Sequence, residues 1–166
     1  MFSKIKKYHI NPLTITSILL FLICFQFSAK AQKSAWQPAS FEVVKSNYKT
    51  FKTTQYAHVF SGSKHNIVKL ASELQGLTGV ELPLSTYKNG TDTPLQLKFK
   101  EPVQVLIGVF NENNSEYLQA DKLKNAKLVL ENGVTITGLA PVNIYAISFP
   151  KGTQTINPGK GLFAVL

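Results

Sequence analysis

The sequence predicts a mainly all-β protein, an antiparallel β-sandwich or jelly roll of about eight or nine strands with one or two short helices. After residue 40, apolar residues recur mostly at every second position, the spacing of a strand that buries one face. Residues typical of turns follow roughly every ten residues. Only two short segments show helical spacing. An open barrel fits the same pattern and stays an alternative.

The first 31 residues predict a cleavable secretory signal peptide. Lysines precede an uncharged apolar run over residues 13–27, which is shorter than the roughly 20 residues that cross a membrane. Residues 29–31 read Ala-Lys-Ala and form an A-x-A cleavage site, so the mature chain is expected to begin at Gln32. An uncleaved anchor is weaker because this site is present. A lipoprotein acylated at Cys24 is weaker because isoleucine precedes the cysteine.

The composition narrows the classes of partner. Cleavage would remove four of the 18 lysines and none of the nine acidic residues, which leaves a net charge of +5. The positive charge is all lysine and is scattered, whereas nucleic-acid-binding proteins usually cluster it and use arginine. We therefore expect no nucleic-acid partner and no membrane span after cleavage. The mature chain would contain no cysteine, so its core must form without disulfides.

The mature chain is expected to fold as one domain outside the cytoplasm, secreted or in the periplasm and cell envelope. Residues 32–40 are small or polar around Trp36 and predict a flexible leader. Residues 41–166 predict a single β-sandwich domain. A chain of about 135 residues buries roughly two-thirds of its unfolded surface, which suffices for one domain but not comfortably for two.

The first half of this domain is predicted to hold three strands and one helix. FEVVK at 41–45, TQYAHVF at 54–60 and TGVELPLS at 78–85 have the composition of strands. Residues 67–75 place apolar side chains at helical spacing and predict a helix, and residues 115–123 predict a second one.

The second half gives the clearest strands. Residues 94–100 alternate between apolar and polar, and residues 103–110 are apolar on both faces, which predicts a central strand covered on both sides. Asn132-Gly133 lies between two strand-like segments and predicts a type I′ hairpin turn. Further strands are predicted at 142–149, and in the segments TQTI and LFAVL near the C-terminus.

Two polar loops supply the candidate binding residues. The loop after the central strand is rich in oxygen ligands that suit sugar hydroxyls or calcium, although it lacks the D-x-D-x-D-G spacing of a calcium loop. A second polar turn over residues 87–92 carries an aromatic ring. Simple solvation of a turn explains either composition as well. The candidate binding residues are Tyr87, Asn89, Asp92, Asn111, Glu112 and Asn113.

No catalytic residue, metal ligand or cofactor is predicted. His58 shares a predicted strand face with Tyr56 and Phe60, which favours a partly buried structural histidine, and His65 reads as a loop residue. The chain has no G-x-S-x-G motif, and its carboxylates are spread over turns and strand ends. A glycan binder should instead gather exposed aromatic rings on one face. The candidates for this role are Trp36, Tyr48, Tyr56, Tyr87 and Tyr117.

The segments GLTGVELPLS, PVQVLIGVFNE and VNIYAISFPKGTQTINPGKGLFAVL resemble a type of small β-sandwich accessory module found in secreted, polysaccharide-associated proteins of Gram-negative bacteria. The resemblance covers most of residues 65–166 and implies a noncatalytic accessory role with carbohydrate binding. It transfers no site, because the matching positions are architectural: Gly76, Gly79, Pro102, Gly108, Gly152 and Gly161. Such modules usually sit on a larger enzyme, whereas this sequence predicts one domain.

The leading hypothesis is therefore an exported, noncatalytic β-sandwich protein that binds a glycan or another cell-envelope component. An interaction module that pairs with a protein through a sheet edge comes second, because a strand at the C-terminus could extend a partner's sheet. A secreted hydrolase is third, because the usual nucleophile, base and metal motifs are missing. The sequence predicts that the protein is more a binder than an enzyme.

Overall fold

The structure is a computed structural model that describes residues 36–44, 48–90, 94–112, 125–157 and 159–165. These residues form twelve strands, one 3-10 helix and one short α-helix, so the expected all-β class is confirmed. The strands are β1 (Phe41–Val44), β2 (Thr50–Lys52), β3 (Phe60–Ser61), β4 (Ile67–Leu70), β5 (Thr78–Val80), β6 (Leu82–Pro83), β7 (Leu95–Phe99), β8 (Val103–Phe110), β9 (Lys127–Ile136), β10 (Val142–Phe149), β11 (Gly152–Ile156) and β12 (Leu162–Val165). The helices are a 3-10 turn at Ser72–Leu74 and α1 at Leu84–Asn89. Within the described residues, no helix is long and apolar enough to cross a membrane.

Two antiparallel sheets make up most of the fold. The larger has seven strands in the order β2-β5-β12-β8-β10-β9-β4, and the smaller has three in the order β1-β7-β11. A short parallel pair joins β3 to β6. The strand count exceeds the predicted eight or nine mainly because β2, β3 and β6 are only two or three residues long, too short to leave a periodic pattern.

Strand β8 is the central strand that the sequence predicts, with the same bounds. It pairs with β10 along its whole length and with β12 on its other side. All of its residues from Val105 to Phe110 are buried. From Val105 onwards β8 has ladders on both edges and apolar groups on both faces and is shielded from water, which explains why its sequence is apolar almost without interruption.

The small sheet packs on one face of the large one. Alternate residues of β7 (Leu95, Leu97 and Phe99) share an apolar cluster with alternate residues of β8. The ring centroids of Phe99 and of Phe149 on β10 lie 6.2 Å apart, and the two rings stack. The intervening residues of β7 are partly or fully exposed, as the period of two in the sequence predicts. This arrangement is that of a sandwich.

A second apolar cluster covers the opposite face of the large sheet. It contains the remaining alternate residues of β8 and β10, including Leu106, Phe110 and Ile144, together with Phe60 from β3 and Leu74 from the 3-10 helix. The rings of Phe60 and Phe110 stack with their centroids 6.3 Å apart. The irregular segment before β5 therefore covers this face of the large sheet. Among the described residues, no second full sheet packs on this face.

The predicted hairpin at Asn132-Gly133 is wrong. Both residues lie inside β9, which runs unbroken from Lys127 to Ile136. Between Val142 and Ile144 on β10, the partners on β9 jump from Val134 to Leu130, so β9 carries extra residues as a bulge. Asn132 adopts the left-handed conformation with φ 49°, but Gly133 does not, whereas a type I′ turn needs both. The dipeptide bends a strand because β10 already pairs with both of its flanks.

The predicted helix over residues 67–75 is also wrong for its first half. Residues Ile67–Leu70 form β4, which pairs with β9 at the edge of the large sheet, and only Ser72–Leu74 are helical, as a 3-10 turn. Apolar residues at helical spacing are equally able to bury a strand end and a following turn. The ladder to β9 favours the strand, because an isolated two-turn helix is too short to offset the cost of helix nucleation.

The segment TQYAHVF is not the expected strand. Only its last residue, Phe60, belongs to a ladder, and His58 forms a single bridge with Asn66. Tyr56 has φ 69°, which turns the chain away from an extended path. His58 is exposed rather than partly buried, so its predicted place on a common strand face with Tyr56 and Phe60 is wrong. The predicted helix at 115–123 lies outside the described residues.

The C-terminal strand is not at a sheet edge. Strand β12 lies between β5 and β8 in the large sheet and pairs with both. The edges of the large sheet are β2 and β4, and those of the small sheet are β1 and β11. The expectation that β12 could extend a partner's sheet is therefore wrong, because both of its edges are in use.

Candidate functional site

The backbone at the end of β8 is fixed by hydrogen bonds to two other segments. The Phe110 N–H donates to the Gly161 carbonyl at 3.0 Å, and the Asn111 N–H donates to the Pro141 carbonyl at 2.8 Å. The Glu112 N–H donates back to the Phe110 carbonyl at 2.8 Å. Asn111 and Glu112, two of the predicted binding residues, are thus exposed side chains on an anchored backbone.

Three asparagines from neighbouring strands meet at this end of the sheet, and we call Asn111, Asn132 and Asn143 the asparagine cluster. The Asn111 Nδ2 lies 3.4 Å from the Asn132 Oδ1. The Asn132 backbone N–H donates to the Asn143 Oδ1 at 2.8 Å. The bulge in β9 makes this possible, because the left-handed conformation of Asn132 turns its N–H towards β10.

The asparagine cluster offers neutral hydrogen-bonding groups in fixed positions. The two bonds use the Asn111 nitrogen and the Asn143 oxygen and leave the Asn111 Oδ1 and the Asn143 Nδ2 outside them. Asn111 therefore keeps an acceptor, and Asn143 keeps a donor, outside the bonds of the cluster. A sugar hydroxyl both donates and accepts, so a pair of amides is a suitable partner for it.

The second predicted loop reaches the same end of the molecule. Asn89 ends α1 and is exposed, and the Gly90 N–H closes the helix on the Thr86 carbonyl at 2.9 Å. A Cβ built on Gly90 would lie 3.3 Å from the Lys160 backbone nitrogen, so the backbone at Gly90 packs against the turn that contains Lys160 and Gly161. The Gly161 carbonyl of this turn accepts the hydrogen bond from Phe110 in β8. The residue after Asn89 thus contacts the same turn that accepts this bond at the end of β8.

The remaining predicted site residues cannot be placed. Asp92 and Asn113 lie outside the described residues, as does the side chain of Tyr87. The sequence pointed to the end of β8 but not to Asn132 or Asn143. The sequence predicts Asn132 in a hairpin turn and Asn143 within a strand, and only the pairing of β8, β9 and β10 joins them to Asn111.

The histidines lie away from this cluster. The His65 Nδ1 is 2.7 Å from the Thr137 carbonyl oxygen, and the Thr137 N–H donates to the Asn66 carbonyl at 3.0 Å. His65 therefore ties the segment before β4 to the turn after β9. Among the described residues, no three or more histidine, cysteine, aspartate or glutamate side chains are grouped as a metal site would need.

Of the aromatic residues that are candidates for sugar stacking, the three whose side chains are described lie in different surroundings. Trp36 packs against the cluster of Phe60 and Phe110 and donates its Nε1–H to the Gln104 Oε1 at 3.1 Å. Tyr48 packs against the cluster between the two sheets. Tyr56 is 67% exposed. Tyr117 lies outside the described residues.

An apolar cleft of about 450 Å³, including the space open to solvent, lies between the segment around Trp36 and strands β7 and β8. Gln37, Thr78 and Gln104 are its only polar lining side chains among the described residues, and none of them ionises. General acid–base chemistry needs a titratable group in the cleft. The described lining of this cleft supplies none.

No protein-family model matches the sequence, and no curated protein matches it. A comparison with solved structures finds similarity to a GH138 enzyme targeting pectin rhamnogalacturonan II, with a TM-score of 0.66 and 19% identity. The match covers 92% of this chain and 19% of that enzyme's chain. This chain is therefore similar to one part of a much longer protein. At this identity the similarity establishes a shared fold and no more.

Proposed function

We propose that this protein is exported and binds a glycan without catalysing a reaction on it, through the asparagine cluster and the loops around it. The observation that carries the proposal is the pair of fixed amides, Asn111 and Asn143, at an exposed end of the central strands. The end of a β-sandwich, where its loops gather, is a usual place for a binding site.

One structural comparison, one sequence prediction and the composition of the site support a carbohydrate ligand. The fold recurs within an enzyme that targets a pectic polysaccharide, as one part of its chain. The predicted signal peptide would deliver this protein to the compartment where such polymers are met. The asparagine cluster itself consists of neutral amides, which suit recognition of sugar hydroxyls.

A glycan array with the mature protein, followed by titration of the best glycan, tests the proposal. Asn143→Asp keeps the oxygen that accepts from Asn132 but removes the Nδ2 donor, so the fold should be unchanged while a hydroxyl contact is lost. When Asn143→Asp is combined with Asn111→Ala, we expect the affinity for the glycan to fall about tenfold, which corresponds to the loss of one or two net hydrogen bonds.

Asn125→Ala is the matched control. Asn125 is exposed and lies just before β9. The first residue of β9 pairs with Ala146 of β10, and not with the part of β10 near Asn143. Its affinity should equal that of the wild type. If the Asn111 and Asn143 variants bind as tightly as Asn125→Ala, the asparagine cluster is not the glycan site.

The hydrolase alternative is tested by the histidines. His58→Gln and His65→Gln should change glycan affinity by less than about threefold, which is below the net value of one ordinary hydrogen bond. An enzyme would instead be favoured if the wild type releases reducing ends from the bound glycan and either histidine variant does not.

Binding of a protein through a sheet edge remains a second candidate because of β11. This edge strand pairs with β7 in regular register over all five residues and contains no charge, proline or bulge. Natural sheets usually protect their edges with such features. Gln154→Pro should abolish capture of an envelope protein if β11 is the contact, and it should leave glycan binding at the asparagine cluster unchanged.

A further inference from the structure

Tyr56 combines two features that a purely structural tyrosine rarely has. Its backbone is left-handed with φ 69°, a conformation that is unfavourable for a bulky side chain. Its ring is 67% exposed, so burial of the ring does not offset that cost. The conformation is held by the Tyr56 N–H, which donates to the Ile67 carbonyl at 2.8 Å. Strain of this kind is characteristic of ligand-binding positions.

A polar groove begins at the residue next to Tyr56. Its volume is about 510 Å³, including the space open to solvent, and Gln55, Val68, Lys69, Leu70 and Gln75 line it. The groove runs beside β4, an edge of the large sheet. Val68 is 41% exposed although it is apolar and lies in a strand.

The groove has its hydrogen-bonding groups in place. The Gln55 Nε2 donates to the Val68 carbonyl at 3.3 Å, which orients the amide and leaves its Oε1 outside that bond. Gln75 supplies a second amide to the lining. Lys69 is the one ionisable side chain among the described lining residues, and it is exposed.

We infer that this groove binds an acidic oligosaccharide, with a sugar ring stacked on Tyr56 and the carboxylate of a uronic acid paired with Lys69. An aromatic face packs against the apolar face of a sugar ring, and amides bind its hydroxyls. A lysine in a groove whose described lining holds no carboxylate favours an anionic ligand over a neutral one. This inference rests on the proposed glycan-binding function but uses a different surface.

The test compares an oligogalacturonide with its methyl ester, which has the same sugar rings without the charge. We expect the wild type to bind the acid more tightly than the ester, with an affinity for the acid that falls as NaCl is raised. Lys69→Gln should weaken binding of the acid about tenfold and remove the preference for it. Lys151→Gln, at an exposed lysine in the turn before β11, is the matched control and should bind like the wild type.

Tyr56→Gly separates binding from folding. Glycine adopts a positive φ freely, so this variant relieves the backbone strain while removing the ring. It should melt no lower than Tyr56→Ala, yet it should bind both the acid and the ester at least tenfold more weakly than the wild type. Tyr56→Phe keeps the ring and should retain binding within about threefold of the wild type.

The outcomes distinguish this inference from the proposed function. If the wild type does not bind the acid, or if Tyr56→Gly and Lys69→Gln bind it as the wild type does, the groove is not an acidic-sugar site. In either case the proposed function stands if Asn143→Asp weakens binding of another glycan on the array, and it falls if no glycan on the array is bound.

Discussion

The bulge at Gly133 gives the sharpest test of the fold. Gly133 is buried inside β9 and has no positive φ. A Cβ built on it would lie 3.1 Å from the Ile144 Cγ1 and 3.1 Å from the Leu130 Cβ. Both distances are shorter than ordinary van der Waals contacts, so a methyl group here requires the side chains of Ile144 and Leu130 to shift by a few tenths of an ångström, and a larger group requires more.

The magnitude follows from this crowding. Gly133→Ala should cost about 1 to 3 kcal/mol, the usual loss when a methyl group is forced into a packed interior. For a domain of this size each kcal/mol lowers Tm by about 4 °C, so we expect a drop of about 4 to 12 °C. Gly133→Leu should cost more than about 4 kcal/mol, because the added atoms have no space.

The size dependence separates the bulge from a hairpin. In a type I′ turn Gly133 would be exposed with a positive φ, and alanine and leucine would cost about the same, since the backbone alone would be strained. Thermal unfolding followed by circular dichroism measures both variants. Asn132→Gly is the control, because an exposed residue with φ 49° accepts glycine and should shift stability by less than about 0.5 kcal/mol. Equal losses for alanine and leucine would refute the bulge.

Three further predictions concern the core and the N-terminus. Ile107→Asp places a charge at a position that is 0% exposed in the central strand, and chemical denaturation should show a loss above about 3 kcal/mol; a midpoint like that of the wild type would contradict the core assignment. The buried Thr86 hydroxyl has no hydrogen-bond partner within the described part of the chain, so Thr86→Val should raise stability by about 1 kcal/mol in the same assay, and a loss of that size would reveal a partner. The exported protein should begin at Gln32, and mass spectrometry that finds an intact N-terminus or a lipid on Cys24 would reject the signal-peptide prediction.

Local pattern was sufficient wherever a segment's environment is uniform along its length. The alternation in β7 and the apolar run of β8 predicted both strands within one residue of their bounds. Burial on one face produces alternating apolar residues, and burial on both faces produces a nearly continuous apolar run. Strand β10 was predicted with the same bounds for the same reason.

Pattern failed where a local preference met a competing long-range pairing. Asn-Gly is a strong turn former in isolation, yet β10 pairs with residues on both sides of it and makes it a bulge. Residues 67–70 could satisfy a helical face, yet the edge of β9 offered them a ladder. In each segment the competing conformations differ little in free energy when the segment is isolated. Contacts with residues far along the chain therefore decide which conformation forms.

The candidate site divides along the same line. The sequence by itself determined that polar side chains follow the end of the central strand, and so indicated Asn111 and Glu112. Only the tertiary structure decided which groups join Asn111, because Asn132 and Asn143 reach it through a bulge and two ladders that have no local signature. The strained, exposed Tyr56 was likewise read as part of a strand. Its left-handed backbone depends on a hydrogen bond to Ile67 within the folded chain, and a single residue of that kind leaves no periodicity to detect.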